Sequence, residues 1–190
     1  MSSSLSSSPI SFAPVAYESA SPEVREILDQ IKGKYGFVPN LLATMANAPA
    51  LLRAYLGLAD QFDQTSLTPR ERQLVLLTAS VENGCAYCIA AHSTIAKGML
   101  KVDAETVAAI RAGTEVDDPK LNALVQLVRE LVNHRGHAAE ATLNTFLTAG
   151  YRREQVAELL VGISLKTMSN YLDHVSPVTV DNAFRTEAIN

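Results

Sequence analysis

The sequence predicts an all-α fold. Through most of the 190-residue chain, apolar residues recur three and four positions apart, the spacing of one helix face. Serine, threonine or aspartate before proline, and glycine after an apolar run, mark repeated helix starts and ends. The β-branched run at residues 178–180 is too short to change the class. We expect one multi-helix domain at residues 13–190 after a flexible, serine-rich N-terminus at residues 1–12.

The N-terminal half of the domain begins with a strong helix start. Ser21 can cap a helix and Pro22 suits its first turn, which predicts a helix over residues 23–34. After an interruption at residues 35–40, we expect helical segments over 41–47 and 50–62.

A second strong start lies at Thr68, where Glu71 completes a capping box. The residues that follow are apolar on nearly all sides of the predicted helix, so this helix should be buried. Asn83-Gly84 ends it, and we expect a new helix over residues 85–97 that stops at Gly98.

The C-terminal half reads as four further helices. Asp103 and Gly113 bound one of them, Asp118-Pro119 opens another, and Gly150 separates the last two. The predicted ranges are 104–112, 119–134, 138–148 and 152–174.

Composition narrows the functional class. The net charge is -4 and the basic residues are scattered among acidic ones, which argues against a nucleic-acid-binding surface. No apolar run approaches the roughly 18 residues that indicate a membrane span. The first residues lack the basic and apolar regions of a secretory signal, so we expect a cytoplasmic protein.

The two cysteines, Cys85 and Cys88, point to chemistry. They are the only cysteines and only two residues separate them, so a disulfide between them would close almost no loop. In a reducing compartment such a pair is better explained by redox or metal chemistry than by structural cross-linking.

A histidine lies on the same predicted helix face. Cys85, Cys88 and His92 are spaced by three and four residues and fall within about 60° of arc. The helix N-terminus favours a thiolate, and His92 can accept the proton of Cys88 or stabilise its thiolate. Cys88 can then attack a peroxide and become a sulfenic acid, which Cys85 converts to a disulfide.

Three other interpretations stay open at this stage. Buried cysteines often only fill space. Zinc could bind Cys85, Cys88 and His92 with His134 or His137, although structural zinc sites normally use two separated ligand pairs. The chain could also sense oxidation, or assist assembly, without rapid turnover.

Polar residues also recur every four positions on the last helix, at Lys166, Asn170 and His174. We expect a boundary face with satisfied hydrogen bonds; the alternative is a polar stripe that reaches the active site or a subunit contact.

The segments 68–77 and 83–92 resemble the carboxymuconolactone decarboxylase superfamily, and most closely its alkylhydroperoxidase D-like, peroxidase-related branch. Residues 36–42 and 164–171 are similar to that branch's N-terminal segment and C-terminal helix. The resemblance implies an alkylhydroperoxidase D-like helical bundle that forms homo-oligomers, trimers or hexamers in many relatives.

The resemblance also implies reduction of hydroperoxides without a metal or cofactor. In that scheme Cys88 is peroxidatic, Cys85 is resolving and His92 belongs to a proton relay. A thioredoxin-like protein, a lipoyl-bearing protein or another thiol would supply the electrons. Relatives carry a glutamate where this chain has Gln73, which can hydrogen-bond His92 but cannot take up a proton near neutral pH. The superfamily name also suggests a lactone-decarboxylating enzyme, for which a thiol pair is not needed.

Overall fold

A computed structural model describes residues 10–189, and these residues contain nine α-helices, two short 3-10 helices and no strand. The all-α prediction is therefore confirmed. The 3-10 helices are Tyr17–Ser19 and Asn182–Glu187. The α-helices are α1 (Pro22–Tyr35), α2 (Asn40–Met45), α3 (Pro49–Asp63), α4 (Pro69–Glu82), α5 (Ala86–Gly98), α6 (Ala104–Ala112), α7 (Pro119–Asn133), α8 (Glu140–Thr148) and α9 (Arg153–Val175).

The predicted flexible N-terminus lies mostly outside the described residues, which begin at Ile10. At its end the chain is attached to the domain, because the Phe12 N–H donates a hydrogen bond to Ser176 Oγ at 2.8 Å. Within residues 10–189, none of the helices combines the length and apolar character of a membrane span.

The capping predictions are confirmed at three helices and wrong at a fourth. Ser21 Oγ accepts the Val24 N–H at 3.3 Å at the start of α1. Thr68 and Glu71 form the expected reciprocal capping box at the start of α4. Asp118 accepts two backbone N–H bonds at the start of α7. Asp103 makes no such bond at the start of α6, because its carboxylate pairs instead with Arg70 at 3.1 Å.

Helix α4 lies at the centre of the bundle and packs against α5, α7 and α9. Its apolar side chains Leu74, Val75 and Leu77 are fully buried, as the lack of a polar face predicts. A second apolar cluster, built on α1, α2, α3 and α5, contains both cysteines. The cysteines therefore lie inside the bundle, between the start of α5 and the long helix α9.

After α9 the chain folds back over α5. The Asp181 carboxylate accepts the Asn40 N–H at the start of α2 and the hydroxyl of Tyr87, the latter at 2.5 Å. Phe184 packs against the rings of Phe37 and Tyr87. No local sequence pattern predicted this return, which supplies one wall of the pocket described next.

Candidate active site

The start of α5 positions the two cysteines differently. Cys85 is the residue before the first helical turn, and its sulfur accepts the backbone N–H of Cys88 at 3.4 Å. Gly84 allows the tight turn from α4 because its φ of 71° suits glycine. Cys88 therefore lies in the first turn of the helix, where unpaired N–H groups favour negative charge.

Lys166 of α9 also reaches this site. This residue is 1% exposed, its Nζ lies 2.9 Å from His92 Nε2, and its charge acts on the Cys88 sulfur. The prediction of a boundary face is thus wrong for this residue. A lysine is almost never buried without a partner, and here an anionic sulfur is within reach.

The two sulfurs have opposite acid–base properties. The adjacent Cys85 side chain and the nearby Lys166 ammonium outweigh burial and lower the pKa of Cys88 to about 6. The adjacent Cys88 side chain, burial and the charges of Cys88 and Asp173 all raise the pKa of Cys85 far above its ordinary value. At neutral pH Cys88 is a thiolate and Cys85 a thiol.

His92 is held between two helices. The Gln73 amide nitrogen lies 2.9 Å from His92 Nδ1 and donates to the His92 carbonyl oxygen, also at 2.9 Å. Burial and the charge of Lys166 lower the pKa of His92 well below its ordinary value, so the ring is neutral. Lys166 links His92 to Cys88, because its charge acts on both side chains.

A pocket of about 250 Å³ opens onto these groups. Cys88, His92 and Lys166 line it, whereas Cys85 does not and lies behind Cys88. The rest of the lining is mostly apolar and aromatic, including Phe37, Leu41, Leu42, Tyr55, Tyr87 and Phe184. The Cys88 side chain therefore borders a space that can hold a small apolar molecule.

Comparison with known proteins gives one family match. Residues 49–130, from the start of α3 into α7, match the carboxymuconolactone decarboxylase family model. The matched segment, 82 of the 190 residues, is similar to this family.

Several solved structures share the fold. A peroxidase-related protein with an AhpD core from Ralstonia eutropha JMP134 is 22% identical, with a TM-score of 0.80 over 93% of this chain and 95% of the other. A peroxidase-related protein from Silicibacter sp. TM1040 is 16% identical, with a TM-score of 0.77 over 95% and 98%. The debrominase Bmp8, as a cysteine-to-alanine variant in complex with 2,3,4-tribromopyrrole, is 19% identical, with a TM-score of 0.78 over 95% and 97%. No curated protein sequence matches the chain.

The other polar residues of the predicted α9 stripe have separate roles. Asn170 is buried and accepts a hydrogen bond from Asn83 at 2.9 Å. His174 is exposed and stacks on Tyr171. One residue that sequence reasoning did not select, Asp173, is buried beside Cys85. The sequence signal that could have indicated Asp173 is its position seven residues after Lys166, on the same face of an otherwise apolar helix.

The zinc interpretation finds no ligand cluster here. Within residues 10–189, no group of three or more His, Cys, Asp or Glu side chains is arranged to hold a metal ion. His92 directs its two ring nitrogens at Gln73 and Lys166, and the loop residues His134 and His137 are exposed.

Neutral His92 predicts acid sensitivity. Unfolded His92 gains a proton near pH 6.5, whereas the folded residue resists protonation until well below that pH. The free energy of unfolding should therefore fall below pH 6.5 by up to about 1.4 kcal/mol per pH unit from this group, until the folded pKa is reached. Urea unfolding between pH 7 and pH 5 should show a steeper loss for the natural protein than for His92→Gln. Equal slopes would contradict the prediction.

Proposed function

We propose that this protein is a thiol-dependent hydroperoxide reductase that cycles through a Cys85–Cys88 disulfide. The observation that carries the proposal is that Cys88 and Lys166 line the same open pocket, while the free Cys85 thiol lies next to Cys88 outside it. A buried lysine lacking a carboxylate partner uses the thiolate as its counter-ion. Cys88 is thus already ionised when a substrate enters.

In the first step the Cys88 thiolate attacks the terminal oxygen of a hydroperoxide. The S–O bond forms as the O–O bond breaks, so Cys88 becomes a sulfenic acid and the rest of the substrate leaves as an alkoxide. The alkoxide takes a proton from the Lys166 ammonium, which regains one from the Cys88 thiol once the disulfide has been reduced. His92, 2.9 Å from Lys166 and held by Gln73, positions this lysine. Gln73 itself transfers no proton.

In the second step the Cys85 sulfur attacks the Cys88 sulfenic acid. The S–S bond forms, the S–O bond breaks, and the hydroxide leaves as water with the proton that Cys85 loses. An external dithiol, thioredoxin-like or lipoyl-bearing, then reduces the disulfide by thiol exchange and restores both thiols. A reducing cytoplasm is the compartment that suits this cycle.

We infer that the protein acts as a homo-oligomer, in keeping with the trimers or hexamers expected from the family. The apolar side chains Leu160, Tyr171 and Val175 are 46%, 57% and 46% exposed on α9. They share one face of the helix, because eleven and four residues correspond to about three turns and one turn.

A second candidate is reductive dehalogenation of a small aromatic ring. It is favoured by the aromatic lining of the pocket beside Cys88, in a fold shared with a debrominase. The thiolate would take the halogen, the ring carbon would gain a proton, and Cys85 would displace halide to form the same disulfide. Bromide release from a bromopyrrole, in place of peroxide consumption, would favour this candidate.

The test follows both sulfurs at once. The reduced protein receives one equivalent of cumene hydroperoxide, and mass spectrometry follows the tryptic peptide Gln73–Lys97, which holds both cysteines. We expect a loss of two hydrogens, return of the original mass with a dithiol, and sustained peroxide consumption. Cys88→Ser should abolish consumption, whereas Cys85→Ser should stop at a sulfenic acid that dimedone traps.

Three outcomes would contradict this function. Peroxide reduction by Cys88→Ser at the natural rate would exclude the mechanism. One round of oxidation without turnover, whatever thiol is supplied, would instead indicate a redox sensor. Lactone turnover by a variant lacking both cysteines would support the decarboxylase alternative.

A further inference from the structure

Asp173 is a buried carboxylate without a cationic partner. Its side chain is 8% exposed, and no ion pair joins it among the residues that the structure describes. One oxygen, Oδ1, accepts the backbone N–H of Val178 at 2.9 Å. The other, Oδ2, accepts the thiol hydrogen of Cys85 at an oxygen–sulfur distance of 3.3 Å. Burying a carboxylate is costly, so this position calls for an explanation.

Asp173 and Lys166 lie on one stripe of α9. Seven residues correspond to about 700°, nearly two full turns, and separate the two side chains by roughly 10 Å along the axis. Cys85 and Cys88 lie opposite this stripe in the reverse order, so that the first cysteine meets the anion and the second meets the cation. A single helix thus gives the two sulfurs opposite electrostatic surroundings.

We propose that Asp173 decides which cysteine is the nucleophile: its carboxylate keeps the thiol hydrogen on Cys85, which leaves Cys88 as the anion beside Lys166. Ionising Cys85 would place a second negative charge 3.3 Å from the Asp173 oxygen, in a buried environment where like charges repel strongly. The proposal rests on the proposed function for the roles of attacking and resolving cysteine. It concerns the free thiols before an oxidant arrives.

Other charged groups around α5 are engaged elsewhere. Glu82 of α4 pairs with Arg129, and Glu187 of the C-terminal 3-10 helix pairs with Lys97. The negative charges that act on Cys85 are those of Cys88 and Asp173, and the Lys166 ammonium also interacts with it. Cys88 faces Cys85, Lys166, Ser169 and Tyr55. Replacing Asp173 should therefore change which of the two sulfurs keeps its hydrogen.

The test is limited alkylation with iodoacetamide between pH 5 and pH 10, in which fragmentation of the Gln73–Lys97 peptide reports each cysteine separately. In the natural protein we expect label almost only on Cys88. In Asp173→Asn the share on Cys85 at pH 8 should rise about tenfold or more, because a neighbouring like charge shifts a pKa by about one unit or more. Asp173→Glu should keep the natural pattern, and Asp181→Asn, which removes a carboxylate that touches Tyr87, should not affect Cys85.

If Asp173 only stabilised the fold, its replacement would change thermal unfolding but would not move the pH dependence of Cys85 alkylation. If Asp173→Asn does not fold, Asp173→Ser also removes the charge and can still accept the Val178 N–H. Unchanged labelling of Cys85 in a folded neutral variant would overturn the proposal. Alkylation needs no peroxide, so a natural protein that shows this labelling pattern but reduces no hydroperoxide would refute the proposed function and leave the role of Asp173 intact.

Discussion

Replacing Lys166 by methionine should remove most of the Cys88 thiolate at neutral pH. With the ammonium gone, burial still opposes ionisation while the Cys85 side chain still favours it, so the pKa of Cys88 should rise from about 6 toward the ordinary thiol value. A thiol with a pKa near 8.5 is only about 3% ionised at pH 7, so the thiolate fraction should fall by up to about thirty-fold. The ultraviolet absorbance of the thiolate and the midpoint of Cys88 alkylation against pH measure this shift.

Lys34→Met is the matched control. Lys34 lines the same pocket, but it is half-exposed and pairs with Asp60 and Asp63 on α3. Its removal should leave the alkylation midpoint of Cys88 unchanged. The Lys166→Met variant should fold, because methionine matches the length of the lysine stem and removes a buried charge whose partner can take up a proton. A midpoint still near pH 6 in folded Lys166→Met would disprove the ion pair.

Replacing Gly162 by alanine should destabilise the bundle, although alanine is the better helix former. A Cβ at this position would lie 2.6 Å from the Phe62 ring and 3.0 Å from Val75 Cγ1. Both neighbours are fully buried, so neither can move aside without displacing the packing of α3 or α4 against α9. Overpacking of this kind costs about 1–3 kcal/mol, and the gain in helix propensity returns at most about 1 kcal/mol.

The free energy of unfolding should therefore fall by about 1–2 kcal/mol, which lowers the melting temperature by roughly 2–8 °C in a chain of this size. Gly57→Ala tests the same change on α3, where the added Cβ meets no atom within 4 Å. That variant should be as stable as the natural protein or slightly more stable. A Gly162→Ala variant that melts at or above the natural temperature would show that the contact relaxes without cost.

Much of this fold could be predicted because its signals are local. Thr68 with Glu71, and Asp118 before Pro119, start helices through hydrogen bonds to their own neighbours, so a few residues suffice to place them. The same reasoning placed Cys85 and Cys88 at the start of α5, three residues apart. Asp103 failed as a cap because a residue 33 positions away, Arg70, competes for its carboxylate.

The all-helical class, the helix starts and the cysteine pair near His92 could be read from the chain alone, because each depends on contacts within about one helical turn. The opposite acid–base properties of the two cysteines, by contrast, depend on how distant helices pack. Lys166 and Asp173 lie on α9, about 80 residues further along the chain, and only the packing of α9 against α5 brings a cation to one sulfur and an anion to the other. Whether a charged side chain is buried, and what it meets there, depends on distant segments that local patterns do not specify.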